Sequence, residues 1–147
     1  DIQNCSVAER LGSADAEVRR LAVIDLPYGD EDDIVPLLLP RLADPDASVR
    51  TEAVRALINQ LADEVVSVAQ HQGIALTHQE AQQANDMIPQ TMPGQLSSTA
   101  QDLARKKPSE IEFLNGLVVR KGKEYGIATP ANQSVYALVK MLEDAQV

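Results

Sequence analysis

Leu11-Gly12-Ser13-Ala14-Asp15-Ala16-Glu17-Val18-Arg19-Arg20-Leu21-Ala22-Val23 returns 31 positions later as Leu42-Ala43-Asp44-Pro45-Asp46-Ala47-Ser48-Val49-Arg50-Thr51-Glu52-Ala53-Val54, and Leu26 then matches Leu57. Both copies share a Leu, an Asp-bearing turn, Val-Arg, an Ala three residues after the Arg, and a closing Leu. Asp15 and Asp46 stand where a helix needs a side-chain oxygen for its unpaired first N–H groups. Behind them Val18, Ala22 and Leu26, or Val49, Ala53 and Leu57, form an apolar stripe at four-residue spacing, and the small Ala lets a neighbouring helix come close. Between the copies Ile34, Val35, Leu37, Leu38 and Leu42 supply a companion helix. Pro36 is tolerable in its first turn, whereas Pro40 is expected to kink or shorten it.

Outward from the second copy, residues 46 to 70 contain neither Gly nor Pro. Val49, Ala53, Val54, Leu57, Ile58, Leu61, Val65, Val68 and Ala69 keep helical spacing throughout, which predicts one helix of about 25 residues ending at Gly73, a residue suited to a left-handed C-cap. Repeat arrays usually need about three units before their stacked core is self-sufficient, so whatever follows this helix must act as a cap. Ahead of the second copy lies the run Asp30-Glu31-Asp32-Asp33, which could form a cation site but, with no calcium-loop spacing after it, is read as acidic side chains in the first turn of a helix, where they meet its positive end.

After Gly73, Thr77 with Glu80 forms a capping-box pattern for a helix through Met87, and Pro89, Pro93 and Gly94 then break the chain. A short helix is expected from about Ser98 to Lys106, with Arg105, Lys106 and Lys107 at its negative end. Pro108-Ser109 should open another, with Ser109 capping and Glu112 three residues on. Gly126 and Pro130 end that region, and Ala131 to Glu143 forms the last helix.

Composition agrees with an all-helical fold: aromatic residues are 3% of the chain, so the apolar fraction is Leu, Ala, Val and Ile at helical spacing. The net charge of −9 argues against nucleic acid and anionic membranes, whose binding rests on Lys and Arg. No apolar run approaches the ~20 residues that span a bilayer, and no signal-like segment opens the chain, so a cytoplasmic protein is expected. The chain opens on Asp1 without an initiator Met, as expected of a start trimmed, disordered or removed in cloning. Cys5 is the only cysteine and cannot form an internal disulfide. His71 and His78 flank Gly73 and cannot share one helical face, so no metal set is expected and both are read as solvated or capping.

The two copies in the first segment resemble HEAT repeats, which in general present surfaces to partner proteins. From about Ala62 to Glu143 the chain resembles the helical domain of ketopantoate reductase. That likeness rests on Ser97-Ser98, Gln101-Asp102, Glu110-Ile111, Asn115-Gly116, and Gly126-Ile127-Ala128-Thr129-Pro130 followed by Asn132. It implies that Ser98 contacts a keto acid and that Glu110 lies beside the catalytic centre. In that family a lysine on an earlier helix gives the proton as hydride arrives from NADPH, and an asparagine completes the site. Here no lysine precedes Lys106 and no G-x-G-x-x-G occurs among the seven glycines. No cofactor is therefore expected, and the plain reading of Ser98 and Glu110 is helix-end capping and solvation.

The expected architecture is all-α: two HEAT-like hairpins over 1–60, fused through a shared helix at about 46–72 to a ketopantoate-reductase-like helical domain over 61–147. A domain boundary inside a helix, instead of in a polar linker, suggests deliberate fusion. The expected function is an engineered chimeric scaffold without catalytic activity and requiring no partner. The alternatives are a HEAT-type protein-interaction module and a degenerate reductase fragment with residual keto-acid binding.

Overall fold

The computed structural model describes residues 5–145. Among them are eight α-helices and no strand, in the order α1 (Val7–Leu11), α2 (Ala16–Asp25), α3 (Val35–Leu38), α4 (Ala47–His71), α5 (His78–Thr91), α6 (Ser98–Ala104), α7 (Asn115–Tyr125) and α8 (Pro130–Asp144). The fold is all-α. The chain divides into two compact units, Asp1–Asn59 and Gln60–Val147, and the division falls within α4.

In the first unit, Asp15 accepts from the Glu17 N–H at 2.8 Å and Asp46 from the Ser48 N–H at 2.8 Å, so each repeat opens on the cap its sequence supplies. Ala22, Val23, Leu38, Val49 and Ala53 are fully buried, with Leu26 beside them. Val18 is only half-buried although its counterpart Val49 is buried. The companion helix is shortened, as Pro40 leads one to expect: α3 covers four residues and gives way to a 3-10 helix, Leu39–Ala43. Pro40 is the cause, since its ring displaces the α-helical carbonyl four residues back and it has no N–H to donate. The acidic run lies outside the first turn. Helix α3 starts at Val35, and of the four carboxylates Asp33 is the one that reaches it, accepting from the Val35 N–H at 3.0 Å.

A buried ion pair in this unit carries no local sequence signature. Arg19 donates through Nε and Nη2 to the two carboxylate oxygens of Asp44, both at 2.8 Å, and its Nη1 closes on the carbonyls of Ser13 and Ala14. This bidentate fork ties the start of the first repeat to the turn of the second. The Arg19 hydrogen bonds hold the Asp44 carboxyl down at about 2.

In the second unit the decisive contact is again a carboxylate. Pro130 opens α8 and Thr129 gives no side-chain cap. Glu64 of α4 takes that role instead: its Oε1 accepts from the Ala131 N–H at 2.7 Å and its Oε2 from the Asn132 N–H at 2.9 Å. The Asn132 side chain, 2% exposed, donates to Glu64 and to the Leu61 carbonyl and accepts from the Asn115 amide at 2.9 Å. One buried network thus joins α4, α7 and α8. Close packing supports it at Gly122, where a Cβ would stand 2.7 Å from the Thr129 methyl and 2.8 Å from the Ile127 carbonyl.

Two boundaries differ from expectation. Helix α5 runs past Met87 to Thr91 with Pro89 inside it. Pro89 lies in the last turn, where it removes a single bond, and the Thr91 hydroxyl ties that turn by donating to the Met87 carbonyl at 2.9 Å. The helix expected to open at Pro108-Ser109 is absent, and α7 begins at Asn115 after a series of turns. The Ser109 N–H and hydroxyl both donate to Glu143, each at 2.7 Å, while Glu112 turns to Tyr136 and Arg120, so the local capping box never forms.

Two tests follow from these clamps. An unfolded Asp titrates near ~3.9, above the folded value of Asp44. The pair therefore contributes fully above about pH 4 and its contribution is lost as pH falls toward about 2. Asp44→Asn should lower stability near neutrality and flatten the acid limb of a pH series of urea melts; an acid limb unchanged from the parent would contradict this. Asn132→Leu keeps the branched shape, with bulkier methyl groups in place of oxygen and nitrogen, but removes the donor to Glu64 and the acceptor for Asn115. Urea unfolding should show a loss of about 2 kcal/mol or more, whereas a change below about 0.5 kcal/mol, the range of ordinary surface substitutions, would dismiss the network.

Candidate functional site

Ser97 accepts from the Ala100 N–H at 3.2 Å and so caps α6, leaving Ser98 as the first helical residue, exposed. Ser98 borders an open groove of about 650 Å³ between the end of α5 and α6. Ile88, Met92 and Leu96 give the groove its apolar wall, and Gln101, Asp102 and Arg105 its polar edge. Gln101 also donates to the Leu96 carbonyl at 2.9 Å, which fixes the entering loop. The arrangement offers a hydroxyl and a guanidinium beside an apolar wall, a combination suited to holding a small carboxylate.

Glu110 lies outside the lining of that groove. It sits exposed in the turn before α7, where its carbonyl accepts from the N–H groups of Phe113 and Leu114. The organised carboxylate of this region is Glu112, two residues on. It accepts from the Tyr136 hydroxyl at 2.6 Å and pairs with Arg120. The Tyr136 hydrogen bond, helped by the Arg120 charge, lowers the Glu112 carboxyl, and the same hydrogen bond raises the Tyr136 hydroxyl. Beside it, Lys140 and then Ser109 pull the Glu143 carboxyl down to about 2. Glu112 and Glu143 are each held in the charged form by donors, which suits bracing and is the opposite of what a general acid requires near neutrality.

The remaining motif residues are structural in their contacts. Asn115 and Asn132 bond each other within the Glu64 network, Gly116 lies against the Tyr136 ring, and Gly126 ends α7 in the left-handed conformation at φ 70°. The histidines are engaged and not merely solvated. His71 stacks on Tyr125 with ring centres 4.4 Å apart, and His78 Nδ1 meets Asp63 at 2.6 Å. Among the described residues no three His, Cys, Asp or Glu side chains converge as a metal site, and no helix is long and apolar enough to cross a membrane.

Comparison with known proteins adds the lineage of each part. The HEAT repeats profile matches residues 6–72, and the profile described as ketopantoate reductase PanE/ApbA C terminal matches residues 43–143, so both take in α4. A 2-dehydropantoate 2-reductase of Vibrio cholerae is 37% identical over 60% of this chain and 30% of its own. One from Pyrobaculum aerophilum is 34% identical over 60% of this chain and 32% of its own. The crystal structure of a PanE/ApbA family ketopantoate reductase from Ralstonia eutropha JMP134 superposes with a TM-score of 0.59 at 33% identity, covering 91% of this chain and 43% of that one. The chain spans about a third of the length of the curated relatives it matches. With the matching profile covering well over half of its residues, the chain belongs to the ketopantoate reductase PanE/ApbA C-terminal family.

Proposed function

We propose that this chain is a non-catalytic helical scaffold, engineered by joining a HEAT-repeat segment to the helical domain of a ketopantoate reductase through one common helix. The observation that carries this reading is α4: both family profiles extend across it, and the division between the two compact units falls inside it. Independent domains are ordinarily separated by exposed, flexible segments in which few contacts cross. Superposing the last helix of one fragment on a helix of another produces the shared element directly.

The chemistry supports the absence of turnover by this polypeptide. Hydride transfer from a nicotinamide needs a dinucleotide held at a glycine-rich strand-to-helix turn, and these 147 residues contain no such motif. Protonation of the carbonyl needs an acid that releases its proton near neutrality. Arg105, the cation on the Ser98 groove, stays protonated, and the two histidines, His71 stacked on Tyr125 and His78 bonded to Asp63, are not among the residues that line that groove. A second reading, residual keto-acid binding, is favoured by Ser98 and Arg105 on the same groove.

Calorimetric titration with NADPH and with ketopantoate, alongside an absorbance assay for NADPH consumption, separates these readings. The expected result is no NADPH binding and no consumption, with ketopantoate affinity no tighter than about 1 mM. Consumption of NADPH in step with keto-acid reduction would overturn the scaffold reading. The engineered origin has its own test: a genomic reading frame encoding both parts without interruption would refute it.

A further inference from the structure

The repeat of 31 residues is obeyed by side-chain contacts as well as by sequence. Arg19 Nη1 donates to the carbonyls of Ser13 and Ala14 at 2.8 and 3.1 Å. Arg50 Nη1 donates to the carbonyls of Asp44 and Pro45, the positions 31 later, at 2.7 and 3.0 Å. The symmetry then stops. The other edge of the Arg19 guanidinium is filled by the Asp44 carboxylate, and the neighbouring Val23 is completely buried. Among the described residues no carboxylate forms an ion pair with Arg50, and Val54, the counterpart of Val23, is 46% exposed. Ala47, Arg50, Thr51 and Val54 line a shallow depression of about 300 Å³. Their counterparts one repeat earlier are Ala16, Arg19, Arg20 and Val23.

We infer that this end face, Ala47-Arg50-Thr51-Val54, is a docking site for a helical repeat of a partner protein, which presents an Asp or Glu from its inter-helix turn to the Arg50 guanidinium and lays an apolar helix edge over Val54. The argument for that occupant is charge and shape complementarity already displayed once in the molecule, where Asp44 fills the equivalent place on Arg19. A second copy of this chain fits less well. The residue its first repeat carries at the register of Asp44 is Ser13, which has no charge to offer. The inference is independent of whether the second unit binds a keto acid.

The probe is a fluorescent peptide copying residues 42–58, side-chain-bridged between positions 51 and 55 so that its helix is held, with helicity verified by circular dichroism. Anisotropy titration of the full chain should show saturable binding that weakens with salt. Changing Asp44→Asn in the peptide, or Arg50→Gln in the chain, should each weaken it by about tenfold or more, as for loss of a charged hydrogen-bonded pair. The two changes together should cost little more than either alone. Because Arg50→Gln also removes bonds to the turn carbonyls, Val54→Glu provides a second variant that leaves them in place, and it should abolish binding. A helical peptide that fails to bind at millimolar chain, equal binding of the Asn peptide, or indifference to Val54→Glu would each overturn the inference. So would self-association of the chain that Val54→Glu abolishes, since it assigns the face to a second copy.

Discussion

A helix that begins with proline must find acceptors for the N–H groups behind it, and α8 finds them on the Glu64 carboxylate, 67 and 68 positions away in sequence. This single group fixes much of the second unit. It places α4 against the start of α8, and through Asn132 it reaches Asn115 at the start of α7. A 7% exposed carboxylate is tolerable because its oxygens are met by N–H donors and the positive end of α8. The close approach of Gly122 to Thr129 belongs to the same arrangement, since it allows the α7 to α8 turn to fold tightly under the network.

The first unit solves a similar problem with the opposite partner. Its buried charge is Arg19, forked onto Asp44, so the two repeats are held in register by a directional contact as well as by apolar packing. Both clamps act between segments far apart in sequence, and each uses a residue on α2 or α4 to hold a turn or a helix start. Near the family motif Glu112 and Glu143 are likewise held charged, by Tyr136 and Arg120 and by Lys140 and Ser109.

What the residues disclosed in advance was local. Asp15, Asp46 and Thr77 cap the helices that follow them because a cap is decided within three residues, and α4 was readable because nothing in it interrupts helical spacing. The end of α4 at a left-handed Gly73, φ 78°, belongs to the same class. Ser109 shows the limit. Its local pattern is that of a helix start, yet Glu143, 34 residues on, competes for its N–H and hydroxyl and wins. Glu64 had no signature, since a carboxylate in mid-helix looks like any solvated one until α8 arrives. The family resemblance identified Asn115 and Asn132 as notable residues, but their partners became visible only in three dimensions. Ser98 reached a groove, whereas Glu110 did not, because the turns before α7 replaced the expected helix.

The account rests on α4 being one uninterrupted helix that supplies core residues to both units. Native-state amide hydrogen exchange along residues 50 to 70 tests this most directly. Continuous protection through Asn59 and Gln60, comparable to that at Ala53 and Val66 on either side, is the predicted result. A window of rapid exchange centred on Asn59 and Gln60, with slow exchange only beyond it, would show two helices joined by a hinge and would contradict the claim.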